Sequence, residues 1–152
     1  EQTGRVTPLH ARAVVAMAGT FGYELDLKLV SEEEKAAVRQ QIRDFKRWQH
    51  LMQDGLYFRL TDGLDNREEA AWMLTDKDRR EALLSIVTLD IHDNAPIRYI
   101  RLKGLDADAV YQDAQSGQTY TGAALMYAGL PVPKHRGEYV AWQIHLIREQ
   151  PA

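Results

Sequence analysis

The chain has no cysteine among its 152 residues. Disulfides and thiolate metal sites are therefore excluded, although the compartment is not fixed by that absence. Long apolar runs are missing too, since nothing approaches the roughly 20 residues of a membrane span. No signal peptide is present. Charge is nearly balanced, 19 Lys and Arg against 22 Asp and Glu for a net −3, without a long run of one sign. Nothing here advertises a nucleic-acid or anionic-membrane partner. There is no Gly-x-Ser-x-Gly elbow, no P-loop and no Rossmann fingerprint. Internal repeats and low-complexity tracts are also lacking. The sequence opens at Glu1 rather than at a methionine, which suggests that an upstream portion or a tag was removed.

What remains is ordinary globular material, 45% hydrophobic and 27% charged. A chain of this length is of one-domain size and buries about 68–70% of its unfolded surface.

The first third reads as two helices. Thr7 and Pro8 make a helix entrance, because threonine caps open N–H groups and proline at the first turn loses no needed donor. Val14, Val15, Met17, Ala18 and Phe21 supply an apolar surface wider than one stripe, so this helix should pack against more than one neighbour. Gly19 and Gly22 bound its end, and residues 24–30 read as an extended connector. Ser31 with Glu34 forms a capping box, and Glu32, Glu33 and Glu34 suit the positive end of the helix dipole. Val38, Ile42, Phe45, Trp48 or Gln49, and Met52 then recur at helical spacing until Asp54 and Gly55 stop the helix.

Beyond Gly55 the period shortens. Residues 56–60 predict a strand and residues 61–69 a loop. Residues 70–75 and 81–89 flank a charged turn, as an antiparallel hairpin would. A further strand is expected at 97–102. A short hairpin is expected from 110–114 and 118–121 around Gln115, Ser116 and Gly117. Residues 122–129 read as one helical turn at most, and residues 130–133 as an extended linker, because a residue before proline is pushed out of the helical region. The last strand is expected at 139–147, with Val140, Trp142, Ile144 and Leu146 alternating against Ala141, Gln143, His145 and Ile147. About six short strands with no helices between them predict a mainly β fold, an antiparallel sandwich behind an N-terminal helical segment. The expected division is residues 1–54 and 55–150.

The candidates for chemistry are few. Five histidines, His10, His50, His92, His135 and His145, include no pair at the i, i+4 spacing of a zinc site. Asp90, Asp93 and Asn94 beside His92 could hold a hard cation, but a polar turn explains them as well. Sugar hydrolysis needs two carboxyls about 5–10 Å apart. Glu24 and Asp26 would share a face of an extended segment, yet such pairs are usually ordinary surface. Asp62, Asp65, Glu68 and Glu69 read as a solvated loop. Tyr57, Trp72, Tyr99, Tyr111, Tyr120, Tyr139 and Trp142 all fall in the β portion, where exposed rings would stack on sugars and buried ones would form core. No catalytic, cofactor-binding or metal residue is assigned.

Several blocks together resemble the tail of glycoside hydrolase family 36, the α-galactosidases. They are Gln2-Thr3-Gly4-Arg5, Thr7-Pro8-Leu9-His10-x-Arg12, Ala16-Met17-x-Gly19-Thr20-Phe21-Gly22-Tyr23-Glu24-Leu25-Asp26 and Ser31-Glu32-Glu33-Glu34-Lys35. Ala70-Ala71-Trp72-Met73, Leu102-Lys103-Gly104-Leu105-Asp106, Gly122-Ala123-Ala124-Leu125-Met126 and Gly129-Leu130-Pro131 continue the series. Between Arg80 and Ile97 only the general character of the family is visible. The resemblance implies a retaining enzyme with an N-terminal β-supersandwich, a (β/α)8 barrel and a C-terminal β-sandwich. Its catalytic aspartates would lie on barrel strands before Glu1, so none maps onto a residue here. Residues 7–22 would be the last barrel helix, residues 26–54 the passage into the sandwich, and residues 56–148 the sandwich. The implied partners are the catalytic barrel and, through it, α-galactoside substrates. A cytoplasmic homo-oligomer is expected.

Three functions follow from these readings: a non-catalytic tail that stabilises the barrel and oligomer, an independent carbohydrate-binding module, and a free-standing adaptor. The first is preferred. If the first helix is cut from its barrel strands, it should either fold onto the sandwich or pair with another copy, to cover Val14, Val15, Met17 and Phe21.

Overall fold

The computed structural model describes residues 6–61, 68–90 and 96–150. Two helices come first, α1 (Leu9–Ala16) and α2 (Glu32–Asp54). Strands β1 (Leu56–Arg59), β2 (Glu69–Thr75), β3 (Glu81–Thr88), β4 (Tyr99–Ile100), β5 (Val110–Asp113) and β6 (Thr119–Thr121) follow. A single π-helical turn (Ala124–Ala128) precedes β7 (Leu130–Pro131) and β8 (Ala141–Arg148). The chain is thus mostly antiparallel sheet behind a helical segment, as expected.

Six strands form one antiparallel sheet in the order β1-β2-β3-β8-β5-β6, and β4 with β7 forms a second, two-stranded one. The last strand is therefore central: β8 joins the β1-β2-β3 meander to the β5-β6 hairpin. Side chains alternate across the large sheet. One face carries Ala71, Met73, Leu84, Ile86, Tyr111 and Leu146, which pack with Ile100, Leu102, Leu125 and Leu130 of the small sheet and its neighbouring turns. The opposite face carries Trp72, Leu74, Leu83, Val87 and Ala141 and is covered by the helices.

The helices reach that face with different side chains. Ala11 and Val14 of α1 sit on Trp72, Val87 and Ala141. Ala13 and Met17 meet Trp48 and Leu51 of α2 over Leu74 and Leu83. The helix therefore folds onto the sandwich, one of the two outcomes anticipated. Val15 remains 55% exposed, while Phe21 stacks on Phe45 with ring centroids 5.0 Å apart.

Three boundaries depart from the sequence reading. The first helix spans 8 residues, not 16: Pro8 occupies the capping position without a side-chain capping bond, and Met17 ends it. Tight turns, Ala18 N–H to Val15 O and Gly19 N–H to Ala16 O, both 3.2 Å, replace its last helical bonds. In α2 the capping box forms as predicted, Glu34 N–H to Ser31 Oγ at 3.2 Å and Ser31 N–H to Glu34 Oε2 at 3.0 Å. Its buried face, however, runs through Val38, Gln41, Trp48 and Leu51, leaving Ile42 exposed. Gln41 is buried because its Oε1 accepts the Tyr23 hydroxyl. The strand expected at 97–102 shrinks to two residues, because its partner is the proline-containing 130–131 segment, where the missing N–H limits the ladder. That segment is itself strand rather than linker.

Gly55 ends α2 with an extended backbone, and its glycine is required by crowding. A Cβ there would stand 2.3 Å from Leu51 O and 2.8 Å from Thr75 O.

Candidate functional site

The sequence candidates disperse in space. Glu24 and Asp26 are exposed on the irregular segment after α1, and Asp26 Oδ1 accepts the Lys28 N–H at 2.9 Å, an ordinary Asx turn. Glu69 overturns the solvated-loop reading, whereas the Glu68 side chain stays 43% exposed. Glu69 opens β2 only 7% exposed, and Arg98 reaches it at 3.1 Å while also bonding Glu68. Burial raises the Glu69 carboxyl above its ordinary value, an effect that the Arg98 charge opposes. The register pairs Glu69 with Thr88 on β3, and the ion pair with Arg98 brings in a residue far along the chain, which loop composition alone does not reveal. Asp62, Asp65, His92, Asp93 and Asn94 lie outside the described residues.

Aromatic side chains divide by depth. Trp72 and Tyr111 are core. Tyr120, Tyr139 and Trp142 are half-buried, and Trp142 stands edge-on to His135 at 5.1 Å. Tyr57 and Tyr99 are exposed, but they belong to different sheets. The rings thus form no single platform among the described residues.

The polar cluster that the structure does assemble lies on the helix-covered face, where α2 crosses β3 and β8. Glu81 accepts two imidazole N–H groups, His145 Nε2 at 2.5 Å and His50 Nε2 at 2.8 Å. His145 is buried, lies opposite Leu83 on β3, and meets the Trp48 ring edge-on at 5.8 Å. Desolvation lowers its pKa, and the bond to Glu81 opposes that shift. The part of this cluster legible in sequence was parity, since Gln143 and His145 fall on the face opposite Trp142. Its contact with Glu81 required knowing that the last strand inserts beside β3.

Next to the cluster, residues of α1, α2 and β8 border a cleft of about 490 Å³. Gln143 and His145 lie beneath it, His10 of α1 and Asp44, Arg47 and Trp48 of α2 border it, and the 114–115 turn closes one end. His10 Nε2 donates to Ala141 O at 3.0 Å. Three buried polar atoms on these residues, Trp48 Nε1, Gln143 Nε2 and His145 Nδ1, have no hydrogen-bond partner among the described residues. No group of three or more His, Asp and Glu capable of holding a metal occurs among those residues. No described helix is long and apolar enough to cross a membrane.

These features define a helix-backed antiparallel β-sandwich whose polar cleft has no paired-carboxylate centre in it. The family model described as "Glycosyl hydrolase family 36 C-terminal domain" matches residues 69–146, and that described as "Melibiase" matches residues 1–55. The chain belongs to glycosyl hydrolase family 36 and is a C-terminal portion of that architecture. It is 50% identical over 142 residues to the bifunctional alpha-galactosidase/sucrose kinase AgaSK of Mediterraneibacter gnavus, covering 93% of this chain and 15% of that protein. Alpha-galactosidase AgaA of Geobacillus stearothermophilus is 39% identical over 150 residues, with 97% and 20% covered. Among solved structures, the galactosidase domain of AgaSK superposes with a TM-score of 0.94 at 48% identity, covering 98% of this chain and 21% of that one. The AgaA complex with raffinose gives 0.93 at 38%, covering 98% and 20%. The chain thus spans about a fifth or less of the relatives it matches.

Proposed function

We propose that this chain is the non-catalytic C-terminal portion of a retaining α-galactosidase that removes terminal α-D-galactosyl residues from oligosaccharides. Its task is to stabilise the catalytic barrel, and with it a homo-oligomer. One observation carries the reading: α1 and the segments on either side of it leave a run of aliphatic side chains uncovered after folding. Val15 of α1 is 55% exposed, and Leu27 and Leu29 after it are 59% and 85% exposed. Val6 ahead of the helix is 85% exposed. An apolar surface of this kind favours a covering partner, and an upstream barrel is the partner that the family's architecture offers. The matches to α-galactosidases support the substrate class.

Two measurements test it. The chain alone should release no phenol from an aryl α-galactoside, and sustained turnover would overturn the assignment. In the longer enzyme, Val15→Asp with Leu29→Asp should lower the melting temperature and leave KM for the same substrate unchanged. An unchanged melting temperature would remove the stabilising role.

A further inference from the structure

Between α1 and the segment that follows it, the fold holds a hollow of about 190 Å³. Leu9, Arg12, Ala13 and Ala16 line it from α1, at the i, i+3, i+4, i+7 spacing of one helical face. Phe21, Tyr23 and Leu25 line it from the other side. The two rings are braced against α2: the Tyr23 hydroxyl donates to Gln41, and Phe21 packs on Phe45 at 5.0 Å while meeting Tyr23 edge-on at 5.1 Å. Gln41 does not line the hollow, so the polar group of Tyr23 is engaged outside it. Arg12 and Glu24, one charge of each sign, are both exposed and leave the lining mainly apolar. A cavity of about 150 Å³ with apolar walls is enough to hold benzene. The space here therefore suits one large apolar side chain and not a whole peptide segment. It also adjoins the uncovered surface, since Leu25 is 36% exposed and leads along the chain to Leu27 and Leu29. All these residues lie within 1–55, the part that the Melibiase model matches.

We propose that this hollow is the socket for a single large apolar side chain, aromatic or aliphatic, supplied by the catalytic barrel. The proposal rests on the stabilising role argued above and names the point where the barrel is anchored. A buried apolar anchor seated in a pocket carries a disproportionate share of the energy of a contact, and Val15, Leu27 and Leu29 around it exclude water.

Ala16→Leu separates the two settings, because it fills the socket from within. In the 152-residue chain it should raise the melting temperature by about 2 °C or more, as cavity filling does. In the longer enzyme the same leucine competes with the anchor and should lower the melting temperature by about as much. Benzene is the second probe. Titrated into the 15N-labelled 152-residue chain, it should shift the backbone N–H resonances of Ala16 and Gly22, and Ala16→Leu should abolish that shift. The titration of the unsubstituted chain reads the socket even where the variant does not fold. A melting-temperature change of the same sign in both settings, or resonances that benzene leaves unmoved, would overturn the proposal. Self-association of the chain that Ala16→Leu abolishes would overturn it too, since the occupant would then be a second copy. A longer enzyme weakened by Val15→Asp with Leu29→Asp but indifferent to Ala16→Leu would keep the stabilising role and sink the socket.

Discussion

Glu81 on β3 and His145 on β8 are neighbours only because the last strand returns to the middle of the sheet. Their side chains meet at 2.5 Å beneath α2, and His50 of that helix donates to the other oxygen of the same carboxylate. One acidic residue thus ties a helix to two strands, in a place where one of the two imidazoles is buried.

That burial sets a pH dependence. Desolvation first, with Arg47 and His50 assisting, lowers the His145 pKa below its ordinary 6.5, against the pull of Glu81. A histidine with a lowered folded pKa favours the native state while neutral. Its contribution is complete above the unfolded value and is lost as pH falls through 6.5 toward the folded one. Denaturant unfolding between about pH 7 and pH 5 should show a falling midpoint. His145→Gln should flatten that slope; an unchanged slope would show that His145 is not the sensor.

Arg98 answers the burial of Glu69. Replacing it by leucine leaves that carboxylate with less compensation and should cost about 3 kcal/mol at neutral pH, the low end for a broken buried pair because Arg98 keeps some solvent access. The sign with pH is opposite to that of His145. Burial raises the Glu69 pKa above 4.5, so protonation relieves the penalty, and the cost of Arg98→Leu should shrink as pH falls through that region. Urea midpoints of wild type and variant at neutral and acidic pH give the comparison; a pH-independent difference would contradict it.

Tyr111 is fully buried, and its hydroxyl serves two backbones. It donates to Arg79 O at 2.7 Å and accepts from Asp106 N–H at 3.0 Å. Arg79 lies at φ 58° in the β2-β3 turn, a conformation that is costly for a side chain of its size. Tyr111→Phe keeps the ring and orphans both backbone groups, so a loss of about 1–3 kcal/mol is expected. An isothermal unfolding curve unchanged by the substitution would mean that water replaces the hydroxyl.

Ser31 is a simpler case. Its exposed capping box is reciprocal, and Ser31→Ala should destabilise the chain by about 1 kcal/mol, read as a lower denaturation midpoint. Glu34→Gln should keep most of that stability, since the amide oxygen can still accept the Ser31 N–H.

Local signals made much of this fold legible. The capping box, the stop at Gly55, the hairpin around Asp76 and Arg80 and the short turn at Ser116 are written in neighbouring residues, and the family blocks add the order of the elements. Non-local pairings were not legible. Ile42 and Gln41 exchange roles because Tyr23, from a connector without periodicity, hydrogen-bonds the amide. Glu69 is buried because Arg98 arrives from about thirty positions away. The 97–102 strand has alternation enough for six residues, but its partner carries a proline. The polar cleft joins α1, α2 and β8, and neither the helical nor the strand period records which of these elements meet.

The two family matches meet between residues 55 and 69, and that seam runs along a packed surface rather than beside one. Ala11, Val14, Trp48 and Leu51 lie before it, and the Trp72, Leu74, Leu83, Val87 and Ala141 they cover lie after it. A chimera joined at Gly55, with helices from one relative and strands from another, would have to match two halves of one interior. The unit that can be exchanged among these enzymes is therefore larger than either match, because the helices and the strands share one interior.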